Sequence, residues 1–488
     1  IRHVVLPKDY VRLKMTEVLA TDMADAAGTH WLDQANRRWS SKLCSVSATD
    51  LDWLPKCVEG VAVTGALTHK AASALNLRKG IPVAAGGGDA AAGAVGIGAL
   101  ILTGFYWIFG FLRMGTTGLA AQARGAGDLK EGGALLMRGL MIGGAAGLIF
   151  ILTQWFLFAG AFYLSPASDE VETLARQYMT IRVWGAPATI ALFAITGWLI
   201  AMEKTRGVLI LQLWMNGLNI GLDLFFVLQL GWGVEGVAIA TLMAEWSGLA
   251  LGLYLCRSAF SGNQWRDWAR IFDKARLKNM MLVNADIMIR SVVLTGSFTA
   301  FLFLGSDFGD VTLAANQVLL QFVEITAYAL DGFAFSAEAL VGGAVGAGDR
   351  RALRRASLMS SQWGLAGAVL LGAVFWFAGP AIIDVMAKAP EVQVAGREYL
   401  FWAAILPPIS LASYMFDGIF VGATWTREMR NAMLVSVAIY VVSLLLLLPL
   451  MGNHGLWVAL VVLNVARGAT LGWYYPRLEA RVGNARLV

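Results

Sequence analysis

Asn219 and Asp223 stand four residues apart in an otherwise apolar run, a spacing that places both on one face of a helix, one turn apart. A carboxylate in such a run is costly to hold in hydrocarbon, so it is expected to face a cavity and bind something there. Asp286 and Arg290, again one turn apart, and Asp331, Glu338 and Asp417 sit in comparable surroundings. The first two can pair with each other within a helix; the other carboxylates can line a cavity or satisfy neighbouring helices. Arg113 and Gln122 bracket a Gly/Thr-rich stretch, where small residues favour close helix packing. Trp107, Trp155, Trp184, Trp198 and Trp402 read as anchors at a membrane interface, or as aromatic faces that hold a cation.

These residues need a membrane around them, and the composition supplies one. Hydrophobic residues make up 58% of 488 positions and charged residues 15%, against about 25% charged in soluble domains. The first 90 positions carry frequent Lys, Arg and Asp, whereas positions 100–475 form a succession of apolar runs. Taking ~20 apolar residues per crossing, the sequence predicts spans at 96–119, 135–163, 178–202, 207–230, 234–256, 281–304, 312–341, 362–386, 399–423, 431–450 and 455–475. Basic clusters mark every second connection, among them Arg124/Lys130/Arg138, Lys204/Arg206, Arg257 to Lys278, Arg350 to Arg355 and Arg427/Arg430. Positive-inside bias puts that set in the cytoplasm. A net charge of +5 in scattered clusters gives no footprint for nucleic acid. Cys44, Cys57 and Cys256 form no disulfide framework or zinc spacing. The chain starts at Ile1 with no apolar leader after Arg2, Lys8, Arg12 and Lys14, and so reads as an internal fragment.

The segment Ala123-Arg124-Gly125-Ala126-Gly127-Asp128 recurs as Ala344-Val345-Gly346-Ala347-Gly348-Asp349, an offset of 221 residues (128 against 349). At that offset Arg176 meets Arg397, Tyr178 meets Tyr399, Pro187 meets Pro408, Gly197 meets Gly418 and Thr205-Arg206 meets Thr426-Arg427. One register for so many unlike residues indicates duplication, and both copies of the Gly-Ala-Gly-Asp loop fall on the basic side, so the halves run in parallel. The second half holds six spans and the first five. The register places the absent first span at Val63 to Val83, a stretch with His69, Lys70, Arg78, Lys79 and Pro82 that cannot cross a bilayer.

Two resemblances follow, one for each solvent. From about Gly96 onward the chain resembles the multidrug and toxic compound extrusion (MATE) family, in its DNA-damage-inducible branch. The carriers are Phe111-Leu-Arg-Met-Gly-Thr-Thr-Gly-Leu-Ala-Ala-Gln122, Asn219-Ile-Gly-Leu-Asp223, Ala327-Tyr-Ala-Leu-Asp-Gly-Phe-Ala334 and Asp417-Gly-Ile-Phe-Val-Gly-Ala-Thr424 through Glu428-Met-Arg-Asn431. The resemblance implies an all-α polytopic membrane protein, here eleven spans of a twelve-helix, two-lobe fold whose first helix is missing. It implies export of small organic cations or metabolites in exchange for H⁺ or Na⁺, by a monomer in the bilayer of the inner (cytoplasmic) membrane, with no other cofactor and no metal. Asn219, Asp223 and Thr241 match part of that family's first-lobe cation site; its remaining ligand lies on the first helix. Asp286, Arg290, Asp331, Glu338 and Asp417 are candidates to line the cavity.

Residues 1–95 resemble an internal slice of FGGY carbohydrate kinases of the xylulose kinase type, an α+β fragment. The carriers are Leu6-Pro-Lys-Asp-Tyr-Val-Arg-Leu13, Thr21-Asp-Met-Ala-Asp-Ala-Ala-Gly-Thr-His-Trp-Leu-Asp33 and Gly86-Gly-Gly-Asp-Ala-Ala-Ala-Gly-Ala-Val-Gly96. Asp89 matches that family's catalytic general base, with Ala90 where Asn is common. The phosphate-binding strand and the ATP-binding domain have no counterpart, so Asp89 is expected to be inert. The expected organisation is a kinase-like fragment at 1–95, a first lobe at 96–256, a basic inter-lobe loop at 257–279 and a second lobe at 280–488. The expected function is ion-coupled efflux, impaired because the first helix is replaced. The alternatives are sugar phosphorylation by the fragment and an inactive chimeric product.

Overall fold

A computed structural model describes residues 3–27, 29, 31–33, 36–59, 62–75, 77–84, 89–164, 169–261, 264–387 and 389–484. The charged leading segment folds into short pieces: α1 (Pro7–Thr16), β1 (Ala20–Asp22), α2 (Met23–Ala27), β2 (Leu32–Asp33), β3 (Arg38–Trp39), α3 (Ser41–Val46), β4 (Lys56–Val58), β5 (Val63–Ala66), α4 (His69–Leu75) and β6 (Pro82–Ala84). The strands pair two by two, β1 with β4 in parallel and β2 with β3 and β5 with β6 antiparallel. The stretch from Val63 to Val83 is therefore strand, helix and strand, too short and too charged to cross a bilayer.

From Asp89 on the described chain is helical: α5 (Asp89–Trp107), α6 (Gly110–Gly125), α7 (Leu129–Leu164), α8 (Asp169–Arg182), α9 (Ala186–Ala201), α10 (Thr205–Asp223), α11 (Gly233–Leu255), α12 (Trp268–Ile271), α13 (Lys274–Ser306), α14 (Asp310–Gly346), α15 (Arg350–Met386), α16 (Pro390–Gly422), α17 (Thr426–Met451) and α18 (Asn453–Asn484). Among the described residues, eleven helical segments are long and apolar enough to span a membrane. They outrun the hydropathy boundaries because polar caps start them early. Asp128 accepts from the Glu131 N–H at 3.1 Å ahead of α7, and Asp349 accepts from the Arg351 and Ala352 N–H groups at 2.9 and 3.1 Å ahead of α15. The span expected at 178–202 begins instead at Asp169 and is interrupted by a tight turn at Val183–Gly185. Pro187 lies four residues beyond Val183 and cannot donate back to its carbonyl.

The duplication is legible in the helix boundaries. At the 221-residue offset, α5 and α14 start together (Asp89, Asp310), α6 and α14 end together (Gly125, Gly346), and α7/α15, α8/α16 and α10/α17 share their starts. The left-handed turn residues repeat as well: Gly127 (φ 75°) with Gly348 (63°), Glu203 (56°) with Thr424 (55°) and Gly231 (68°) with Gly452 (55°). Among the described long helices, α13 alone has no counterpart of similar length, since its register falls on strands and short helices up to Ala84.

The chain forms two compact units. One comprises residues 1–105, 145–189 and 212–248, the other 106–144, 190–211 and 249–488. In the second, one apolar core gathers Ile287, Leu330, Ile419 and Phe420, and another gathers Phe301, Phe322, Phe375, Tyr440 and Trp457. Helices there approach closely at small residues: a Cβ on Gly118 would run into the Val421 carbonyl oxygen. Trp198, expected at the interface, is instead buried and donates to the Gly132 carbonyl at 3.0 Å, whereas Trp107, Trp155 and Trp184 are exposed.

In the first unit Arg182 of α8 donates to Glu245 of α11 at 2.6 Å, with both side chains buried, and Gly185 leaves the room that the carboxylate occupies. Removing one partner strands the other charge. Glu245→Gln should cost about 3–5 kcal/mol, read as lost thermal stability in detergent, while Arg182→Met with Glu245→Leu should cost clearly less. Equal losses would show that the pair's ionic character is not what matters.

Candidate functional site

Asn219 and Asp223 occupy the last turn of α10, and a π-helical stretch, Leu224–Gln229, follows at once. Such wide turns free backbone groups and recur at functional positions. Asn219 donates its side-chain amide to Thr241 Oγ1 on α11 at 3.1 Å, and Thr241 in turn donates to the Val237 carbonyl at 2.9 Å. The structure thus joins two of the three residues directly. Asp223 lies one turn along the same face, half-buried, with its Oδ1 buried and, among the described residues, without a hydrogen-bond partner.

The repeat explains what that carboxylate faces. The counterparts of Asn219 and Asp223 on α17 are Tyr440 and Leu444, both buried; Tyr440 donates to the Ser297 carbonyl of α13 at 3.3 Å. The face of α10 that carries the candidate site is therefore the face that, in the other copy, packs on α13. Without that neighbour α10 is the barest span, 6% buried against 22% for α17.

The ionisable residues of the second half all lie in the second unit. Asp286 does not pair with Arg290: it accepts from Arg430 at 2.5 Å and from Thr426 at 3.2 Å on α17. Arg290 instead reaches Asp417 on α16, which also accepts from Arg467 of α18 at 2.6 Å. Glu338 of α14 takes a two-point hydrogen bond from Arg113 at 3.1 and 3.4 Å, and the guanidinium lies over Phe335, 4.1 Å from the ring centre. Arg113 thus does more than the packing expected of its stretch. Gln122 does support packing, donating to the Gly422 carbonyl and Thr424 Oγ1 at 3.0 Å each. Asp331 is half-buried within electrostatic reach of Arg113, Arg290 and Arg467. Asp89 opens α5, but its side chain lies outside the described residues.

Sequence reading passed over Arg182, Glu245, Arg430 and Arg467. A signal existed for three of them: Arg182, Glu245 and Arg467 lie inside the apolar runs predicted to cross the membrane, where an ionised residue implies a partner.

A second charged cluster sits where the Gly-Ala-Gly-Asp loop meets the basic connector. Arg270 donates to both oxygens of Asp128 at 2.9 Å, Arg276 reaches Glu131, and Arg138 donates to Glu131 at 2.7 Å and to the Arg270 and Ile271 carbonyls at 2.6 and 2.8 Å. Asp128, Glu131, Arg138 and Arg276 rim a cavity of about 470 Å³ that also touches Gln122 and Gly346.

Comparison with known proteins divides the chain as its solvents do. The model of the FGGY family of carbohydrate kinases, N-terminal domain, matches residues 1–96, and the MatE model matches 81–225 and 287–447. The chain is 35% identical over 391 residues to "DNA damage-inducible protein F" of Escherichia coli (strain K12), covering 79% of this chain and 84% of that protein. It is 52% identical over 95 residues to the xylulose kinase of the same organism, covering 20% of this chain and 19% of the kinase. A crystal structure of a MATE protein in the bent conformation superposes with a TM-score of 0.74 at 18% identity, over 82% of this chain and 90% of the other.

Burial pushes the Asp128 carboxyl up, but the Glu131 N–H, the Arg270 hydrogen bonds and charge, and the Arg276 charge outweigh it and hold the group below the usual carboxylate range. A carboxyl lowered in the folded state contributes stability above its unfolded value, about 3.9, and loses it as pH falls through the folded value. Asp128→Asn should therefore lower the melting temperature at pH 7, with the gap closing below about pH 4. A gap that is unchanged at pH 3 would show that the ionised form is not what stabilises the cluster.

Proposed function

The chain belongs to the MatE family, and from that premise we propose that its residues from about 96 onward are built for ion-coupled efflux from the inner membrane, with Asp223 taking the coupling H⁺ or Na⁺. One observation carries the reading. A carboxylate oxygen with no partner stands on an apolar helix, one turn from an Asn219–Thr241 hydrogen bond that supplies further oxygens. A cation or proton is the partner such a group wants in a low dielectric. Binding there, followed by release when substrate enters, couples the two in antiport. Small organic cations or metabolites are the substrates the family implies, and a monomer suffices for the scheme.

The present chain is a poor version of that machine. The face of α10 bearing Asp223 lacks its helical neighbour, so lipid reaches one side of the site and an ion held there loses a wall. The domain order this reading implies is a kinase-like fragment at 1–95, a first lobe at 96–256, a connector at 257–279 and a second lobe at 280–488, with the basic connections in the cytoplasm. Sugar phosphorylation by residues 1–95 has far less behind it: Asp89 alone cannot position ATP.

Expressed in bacteria, the chain should be found in the membrane fraction and give no dye efflux above an empty-vector control. Replacing residues 1–95 by a family-type first helix should restore efflux, and Asp223→Asn in that repaired chain should reduce it at least tenfold. Unchanged efflux in the Asn variant would remove Asp223 from the mechanism. Sugar-dependent ATP consumption by the unaltered chain would revive the kinase.

A further inference from the structure

The second unit holds a charge arrangement that cation coupling does not use. Arg290 of α13 and Arg467 of α18 both donate to one oxygen of Asp417, Oδ2. Arg290 is 7%, Arg467 3% and Asp417 6% exposed, so all three are more than nine-tenths buried. Two guanidiniums on one oxygen waste what each offers. A guanidinium edge matches both oxygens of a carboxylate, but here Asp417 Oδ1, Arg290 Nε and Arg467 Nε are all buried without a partner. Arg467 has one further anchor, Asn464 Oδ1 at 3.1 Å, and its guanidinium lies 5.6 Å from the Tyr414 ring centre.

The triad carries one net positive charge in a region flanked by hydrocarbon. Glu338 does not offset it, being paired with Arg113. The nearest offset is Asp331, which feels both arginines but makes no ion pair with either among the described residues. A cation at the free Asp417 oxygen, Oδ1, would lie beside two guanidiniums and be repelled by both. An anion needs to displace nothing but a share of Asp417, and it would give both orphaned Nε–H groups an acceptor.

We infer that Arg290 and Arg467 form a binding site for the carboxylate of an organic anion, with Asp417 as the internal anion that holds the two arginines ready and shares them when the ligand arrives. The site's ligand belongs to a different charge class from the cations that Asp223 attracts. It rests on reading the chain as a transporter but not on the Asp223 site: a substrate bearing both a cationic and a carboxylate group, or an acid alone, would be recognised here. Asp331 then sets the strength of the site, because its negative charge opposes the incoming one.

The test uses the full chain purified in detergent and two probes of matched shape and opposite charge, benzoate and benzylamine, titrated against thermal unfolding. Benzoate should stabilise the chain and benzylamine should not. Asp331→Asn removes an unpaired side chain and is safe for the fold; it should tighten benzoate about tenfold, the effect of deleting a nearby like charge at low dielectric. Arg467→Gln should weaken benzoate at least tenfold, and Arg290→Lys, which keeps the charge but loses the fork, should weaken it too. Equal responses to the two probes, no response to benzoate, or an Asp331→Asn variant with unaltered benzoate affinity would each overturn the site. Dye efflux by the repaired chain reads the Asp223 proposal separately, so failure of one leaves the other standing.

Discussion

An ionised side chain in hydrocarbon must find an opposite charge, and that requirement organises this chain from Asp89 onward. Arg182 holds Glu245, Arg113 holds Glu338, Arg430 holds Asp286, and Arg290 and Arg467 hold Asp417. Each pair ties together helices that are distant in sequence, and each is costly to break from one side. Against that background the exceptions carry the information. Among the described residues, Asp223 has an oxygen with no partner, and Asp331 sits near three arginines without joining any of them.

The duplication supplies the second constraint. Two copies with matching helix starts, helix ends and left-handed turns should bury the same faces. One place where they do not is the face that α13 covers in the second copy. Tyr440 and Leu444 are buried, Tyr440 bonding to α13, while Asn219 and Asp223 on the corresponding face of α10 are only half-buried. A single helix without a counterpart therefore bears on both packing and the proposed ion site, because the proposed residues stand on the face of α10 that corresponds to the α13-facing side of α17.

Much of this was readable beforehand, for identifiable reasons. Eleven apolar runs, the repeat register and the unfitness of Val63 to Val83 for a membrane all follow from composition and spacing, which act over long stretches and average out local error. Asn219 and Asp223 stand out in the sequence because a polar pair one turn apart in an apolar run is rare. Partner choice was not readable. Asp286 and Arg290 share a helix face, yet each is captured from another helix, because a guanidinium reaching across from α17 or a carboxylate from α16 lies closer than the next turn. The π-helical stretch after Asp223 and the broken turn at Val183–Gly185 escaped because hydropathy registers where a helix is apolar, not how its backbone is wound.

The central claim is that Asp223 holds an ion that substrate displaces, and only when a helix covers it. Ion release can be followed directly, with a pH-sensitive dye and a Na⁺-selective electrode, as a quaternary ammonium dye is titrated into weakly buffered detergent solution. With a family-type first helix in place of residues 1–95, the account predicts release of H⁺ or Na⁺ on dye addition, and none from the chain as it stands. Release that persists after Asp223→Asn, or release as large from the uncovered chain, would contradict it.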